Sequence, residues 1–207
     1  FNGMFAFVIY DTQTGNTFAA RDRFGVKPFY YAHTSDSFVF CSEIPPVLNT
    51  IGNGYEVSEQ NIYDYLVFNR TDHANTTFFK SVQKLDHGHC VSIKGSDVSI
   101  RRWYVLKDHI GNPFNTPAEL LETLTDSVRL RLRSDVPLGV SLSGGIDSSS
   151  ITSIMHHALG AKDFNTFSAV YGSGLAGDES NFINEYKPLL KNMHFISPDA
   201  DTLLRDI

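Results

Sequence analysis

Cysteine is scarce: Cys41 and Cys90 are the only two in 207 residues. They supply neither a disulfide framework nor the ligand spacing of a structural zinc site, and they fit a reducing compartment, the cytoplasm. Long apolar runs are also lacking. The longest clean one, Met4 to Tyr10, is too short to span a bilayer, and no basic-then-apolar leader stands at the start. Without a leader, the acceptor-like triplets Asn69-Arg70-Thr71 and Asn75-Thr76-Thr77 are set aside. Positive charge is in the minority, and a net charge of −6 argues against nucleic acid as the main partner. Internal repeats and low-complexity tracts are absent. An initiator methionine is absent too: the chain opens on Phe1-Asn2-Gly3 and closes at Ile207 inside a helix-like stretch, which leads us to expect a fragment. What remains is a packed globular composition, 42% hydrophobic and 13% aromatic, long enough for one large or two modest domains.

The first half reads as β-rich. Met4 to Tyr10 and Thr17 to Arg21 suggest a hairpin, with Gly15-Asn16 at the centre of its turn. A charged turn around Gly25 leads to an aromatic strand at Phe29 to Tyr31, and Ser37 to Cys41 is another short strand. Ser42-Glu43 begins a helix that Pro45-Pro46 should interrupt. Ser58 caps a helix to Phe68 with Ile62, Tyr65 and Leu66 inward. Lys84 to Ile93 and Ser96 to Tyr104 should pair about Lys94-Gly95-Ser96. Residues 107–116 have no periodicity and carry Gly111 and Pro113, so the linker is placed there.

Beyond the linker, strand and helix alternate, the pattern of a parallel doubly wound sheet. Thr116, Pro117 and Glu119 form a capping box for a helix whose stripe is Leu120, Leu124, Val128 and Leu132. Phe164 to Tyr171 and Met193 to Ile196 read as strands. Glu179 to Lys191 reads as a helix, and Asp201 to Ile207 as the start of another.

Between these lies the most informative stretch, Val136 to Ser150. Leu138, Val140 and Leu142 supply a strand. Ile151, Ile154, Met155, Ala158 and Leu159 give the following helix one buried side, with Gly160 as its stop. Ser143-Gly144-Gly145 joins the two. The glycines permit positive φ and close approach, and the first helical turn offers free N–H groups to an anion. Asp147 conflicts with a phosphate unless it holds a divalent cation that the phosphate also binds. A P-loop is excluded because no Lys follows Gly145, and the dinucleotide pattern because Ser148 replaces its third glycine.

Ser-Gly-Gly-x-Asp-Ser-Ser resembles the pyrophosphate loop of the ATP pyrophosphatases. The N-terminal stretches Asn2 to Phe7, Arg21 to Tyr31 and Ser42-Glu43 are similar to the later part of the glutaminase domain of glutamine-hydrolysing asparagine synthetases. Gly88-His89 and Trp103-Tyr104 match its closing strands, and Ser134 to Gly139 with the loop matches the start of the synthetase domain. The resemblance implies an α/β plus α+β architecture. Residues 1–106 would be the C-terminal part of an N-terminal-nucleophile glutaminase domain with layered antiparallel sheets. Residues 117–207 would be the start of a doubly wound parallel-sheet ATP pyrophosphatase domain. The activity implied is conversion of aspartate to asparagine through β-aspartyl-AMP, using ATP, Mg²⁺ and ammonia carried from glutamine through a tunnel. Ser141, Leu142, Ser143, Gly144, Gly145, Asp147, Ser148, Ser149, Ala169 and Val170 would contact ATP and pyrophosphate, with Asp147 on the metal. Met4, Val26 and Lys27 would lie by the tunnel. The partners implied are small molecules, with no nucleic acid or membrane, and a homodimer is the oligomer allowed.

The family's glutaminase nucleophile is an N-terminal cysteine. Residue 1 here is Phe, and Cys41 and Cys90 lie mid-chain, so the polypeptide as given is expected to hydrolyse no glutamine. Elsewhere, Arg21, Arg23 and Lys27 read as a charged turn with Asp22 pairing locally rather than a phosphate or RNA patch. His87-Gly88-His89-Cys90 has no second ligand pair at metal spacing. His156 and His157 fall on the polar side of their helix, and Arg129, Arg131 and Arg133 complement a helix C-terminus. Asp178-Glu179 either cap a helix or face a ligand at the strand ends. Two further functions stay open: the same loop acting on another carboxylic acid, as in β-lactam-forming relatives, and a non-catalytic scaffold.

Overall fold

Strand alternation in the first half is realised as two antiparallel sheets. In the computed structural model, which describes residues 1–52, 55–111, 113–171 and 177–197, β1 (Ala6–Tyr10) and β2 (Thr17–Arg21) pair with Ala6 opposite Arg21 and Tyr10 opposite Thr17. Gly15 at φ +71° and the Asp11 carboxylate, which accepts from the N–H groups of Gln13 and Thr14, close the turn. β2 continues to β6 (His89–Lys94), and β6 to β7 (Asp97–Arg102) through the tight turn at Gly95, in the order β1-β2-β6-β7. The second sheet has the order β4-β3-β5, from β3 (Tyr30–His33), β4 (Phe38–Cys41) and β5 (Gln83–Lys84). Ala19 and Val91 of one sheet and Tyr31 of the other share a core with Phe29 and Leu85.

Several expectations are corrected. Pro45 and Pro46 do not interrupt a helix; they occupy the first turn of α1 (Ile44–Ile51), where a missing N–H costs no intrahelical bond. In α2 (Glu59–Phe68), capped by Ser58 as expected, the buried residue is Asn61. Its side chain accepts from Ser58 Oγ and donates to Thr76 Oγ1 at 2.9 Å, which sets the rotation of the helix. Tyr65 and Leu66 therefore point outward, Leu66 at 75% exposure. The expected strand from Lys84 to Ile93 is broken at residues 85–88, where Gly88 takes φ +63°.

The two compact units are Phe1–Gly111 and Asn112–Ile207. The second opens with α3 (Pro117–Arg131), where Thr116 Oγ1 accepts from Glu119 N and the Glu119 carboxylate accepts from Asn115 N, one residue earlier than a standard capping box. Val128 is buried and Leu132 packs beside it, but Leu120 and Leu124 are exposed at 44% and 42%. β8 (Gly139–Ser141), β9 (Asn165–Ala169) and β10 (Asn192–Ile196) form a parallel sheet in the order β10-β9-β8. α4 (Ile146–Ser153) passes into a π-helical turn, Ile154–Ala158. The wider turn shifts the register, so adjacent Ile154 and Met155 are both buried while Ile151 is exposed. Gly160, at φ +66°, ends the helix. α5 (Ser180–Asn184) is much shorter than the helix expected to Lys191. Pro188 has no N–H and its ring crowds the carbonyl of Asn184, where the helix stops. The helix start expected at Asp201 to Ile207 lies outside the described residues.

Candidate functional site

The Ser143–Ser149 loop is held by the sheet behind it. Leu142 is buried among Ile154, Met155 and Ile183, and burying a side chain of this kind stabilises by roughly 1.5–3 kcal/mol. Its N–H donates to Phe167 O at 2.9 Å and its carbonyl accepts from Ser168 Oγ at 2.7 Å. Both backbone groups of Leu142 are thus committed to β9, and what it contributes is the fixed point from which the loop departs.

Of the two glycines, only Gly144 has positive φ, +93°. A Cβ there would also lie 2.8 Å from Glu179 Cβ and 2.9 Å from Glu179 O. Gly145 is different. At φ −67° it is the extended N-cap of α4, and a Cβ would meet nothing closer than Ser143 Oγ at 3.4 Å. Ser143 and Ser148, expected as ligand donors, also bond to one another within the loop. Their hydroxyls lie 3.0 Å apart, Ser148 Oγ accepts from Ser143 N, and Ser143 Oγ accepts from Gly145 N.

No side chain caps α4 among the described residues. The N–H groups of its first turn, at Ile146, Asp147 and Ser148, therefore face outward with no intrahelical acceptor. The Asp147 side chain is exposed, and Ile146 is 82% exposed. Beside this turn is a cavity of about 500 Å³ lined by Gly144, Gly145, Ile146, Ser149, Glu179, Phe182, Glu185 and Tyr186. Donors, helix dipole and an exposed carboxylate together suit an anion that carries a cation with it.

The Asp178-Glu179 pair divides its labour. Asp178 Oδ1 accepts from Ser180 Oγ at 2.6 Å and from Tyr171 N, so it organises the start of α5. Glu179 stands at the N-cap position without a side-chain capping bond, and its Oε2 lies 3.8 Å from the position of a Gly145 Cβ. Ser141 and Ala169 are exposed at the carboxyl ends of neighbouring strands, and Val170 N donates to Ile196 O. That edge is where ligands bind in open α/β sheets.

In the first unit, Asp22 is not paired with its basic neighbours. It is 1% exposed, and its carboxylate accepts from four backbone N–H groups: Phe5, Phe24, Val26 and Lys27, at 2.9 to 3.3 Å. Burial pushes its pKa up, but the donors from Lys27, Val26, Phe24 and Phe5 more than offset this and hold the carboxyl below its ordinary range. Arg21 is likewise spent on backbone, donating to Lys27 O, Leu85 O and Gly25 O at 2.6 to 2.7 Å. Arg23 stacks over Trp103 and Tyr104. Side-chain ion pairing was the expectation because charge alternation is what a linear reading sees; the partners are instead backbone groups, most of them in the same turn, with Leu85 O and Phe5 N arriving from distant segments. Through Asp22, the segments carrying Met4, Val26 and Lys27 meet at one buried carboxylate, with Met4 and Val26 exposed. Nearby, buried Lys84 donates to Asp72 Oδ1 at 2.6 Å, and this bond, against the opposing effect of burial, lowers the Asp72 pKa. Cys90 is buried in β6 and Cys41 is half-buried, so neither is presented as an open nucleophile.

Comparison with known proteins gives two matches in sequence order. The glutamine amidotransferase domain family matches residues 1–104, and the asparagine synthase family matches residues 119–195. This is an amidotransferase domain followed by a synthetase domain on one chain. The chain belongs to the glutamine-hydrolysing asparagine synthetase family. Over 202 residues it is 32% identical to a provisionally named asparagine synthetase [glutamine-hydrolyzing] 2 of Methanocaldococcus jannaschii, covering 94% of this chain and 38% of that protein. It is 34% identical to asparagine synthetase [glutamine-hydrolyzing] 3 of Bacillus subtilis over 155 residues, 74% of this chain and 25% of that protein. Amidase chry2 of Gibberella zeae is 29% identical over 222 residues, 98% of this chain and 32% of its own length. The chain thus spans between 25% and 38% of the length of these relatives. No helix among the described residues is long and apolar enough to cross a membrane.

Proposed function

We propose that this chain takes part in ATP-dependent amide synthesis, converting aspartate to asparagine with glutamine-derived ammonia, in the cytoplasm. The observation that carries the proposal is the uncapped first turn of α4, set behind the Gly144 kink and beside the exposed Asp147. In this reading the Ile146, Asp147 and Ser148 N–H groups bind the β- and γ-phosphates of ATP. Ser141, Ala169 and Val170 lie against the adenosine. The aspartate side-chain carboxylate attacks the α-phosphorus, pyrophosphate leaves, and β-aspartyl-AMP forms. Ammonia then attacks the acyl carbon and AMP leaves. The donors on α4 are oriented before reaction, so they stabilise the departing charge without reorganising.

The exposed carboxylate of Asp147 fits Mg²⁺, a hard cation that takes oxygen ligands. When bound there, Mg²⁺ offsets negative charge on the phosphates. Met4, Val26 and Lys27, gathered around Asp22, are proposed to border the route by which ammonia reaches the synthetase unit. The partners in this reading are ATP, aspartate, and glutamine or ammonia.

Exchange of labelled pyrophosphate into ATP by the full-length protein tests the reading. Exchange that requires aspartate is the expected result, and no ATP binding at all would favour a non-catalytic scaffold. The similarity to amidase chry2, over nearly the whole of this chain, supports a second reading in which another carboxylic acid is activated. Exchange with such an acid, and none with aspartate, would favour it.

A further inference from the structure

The segment that carries α5 reaches the phosphate-facing helix twice. Glu179, at its start, presses on Gly144. Two turns later, the Tyr186 hydroxyl donates to Ser149 O at 2.9 Å and lies 2.9 Å from Ser153 Oγ. The Tyr186 ring packs against the core of Leu142, Met155 and Ile183 and borders the cavity beside the loop. Mid-helix carbonyls already accept one intrahelical N–H, so a tyrosine hydroxyl on Ser149 O is an added tie from outside the helix. It falls at the point where α4 passes into the π-helical turn at Ile154. A π-turn changes the register of a helix and so leaves its direction less constrained by its own backbone.

We propose that Tyr186 is a positioning residue for the pyrophosphate site: its hydroxyl braces α4 at Ser149 and Ser153, and so fixes the direction of the first-turn N–H groups. This rests on the reading of that turn as the ATP site. The residue touches no phosphate itself; its effect passes through the helix. Thr152 Oγ1 on Ser148 O, at 2.8 Å, is the helix's own side-chain bond at the same level and cannot replace a tie from another segment.

The test is Tyr186→Phe in the full-length protein, which keeps the ring in the core and removes only the hydroxyl. Pyrophosphate exchange should show the KM for MgATP raised about five- to tenfold, the loss of one well-placed hydrogen bond, with the melting temperature near that of the unsubstituted protein. A purely structural role would instead lower the melting temperature and the active fraction while leaving KM where it was, and that result overturns the inference. Ser153→Ala, which removes one of the two anchors, should raise the same KM about two- to threefold. If Tyr186→Phe does not fold, this variant decides, and an unchanged KM overturns the inference. Absence of exchange in the unsubstituted protein overturns the ATP reading itself, and the inference with it; exchange with unchanged KM in the folded variants overturns the inference alone.

Discussion

Two turns in this chain, Asp22–Lys27 and Ser143–Ser149, combine glycine, an acid and a set of backbone N–H groups, and they use them in opposite ways. Around Asp22 the carboxylate is buried and takes up four N–H donors, including three from its own turn. At the second turn the carboxylate of Asp147 is exposed, the serines satisfy one another, and the first-turn donors of α4 are left facing outward. An acid that consumes the local donors makes a structural knot. An acid that stands clear of them leaves a site for a ligand.

That contrast is open to direct attack. Asp147→Ala should reduce MgATP turnover by at least ~10³-fold, more than 4 kcal/mol of lost transition-state stabilisation. Its denaturation midpoint should stay at the native value because the side chain is exposed. Retained turnover in steady-state assays would remove Asp147 from the site. Asp22→Ala should behave in reverse, costing about 3 kcal/mol of unfolding free energy by leaving buried donors unpaired. Urea titration of the first unit's transition measures this.

Gly144→Ala combines positive φ with a 2.8 Å approach to Glu179, and a loss of about 2–3 kcal/mol is expected. Gly145→Ala meets only ordinary contacts, the nearest Ser143 Oγ at 3.4 Å, at a permitted φ, and should lose under ~1 kcal/mol. Equal effects from the two substitutions, in parallel denaturation curves, would show that the loop is not pinned at Gly144. The smallest effect is in pH. The Asp22 pKa is depressed by folding, so its stabilisation is complete above the unfolded carboxyl pKa of ~4 and is lost as pH falls through the lower folded value. Unfolding midpoints between about pH 6 and pH 2 should show this acid loss, and Asp22→Asn should reduce it.

Much of the chain was legible from local rules. The Thr17–Arg21 strand, the Ser58 and Thr116 caps, the Gly160 stop and the strand before the loop all follow from neighbours within four or five residues, and the structure has them. Several of the expectations that failed concerned which side of an element is buried. α2 turns Asn61 inward because Thr76 waits there, and Ile151 turns outward because the π-turn shifts the register beyond it. Pro188 was a local signal for the early end of α5 that the apolar pattern masked.

The site divides in the same manner. Sequence by itself determined the glycine loop, the helix start behind it and the acid in its first turn, because φ freedom, the helix dipole and charge are properties of adjacent residues. Only the tertiary structure decided that Gly144 and not Gly145 is sterically required, that Ser143 and Ser148 bind each other, and that Tyr186 braces α4. It alone decided that Asp22 is buried among backbone donors while Asp147 stands exposed. Those outcomes depend on which groups from distant segments arrive to take a donor or fill a space, because a buried donor left without an acceptor costs free energy.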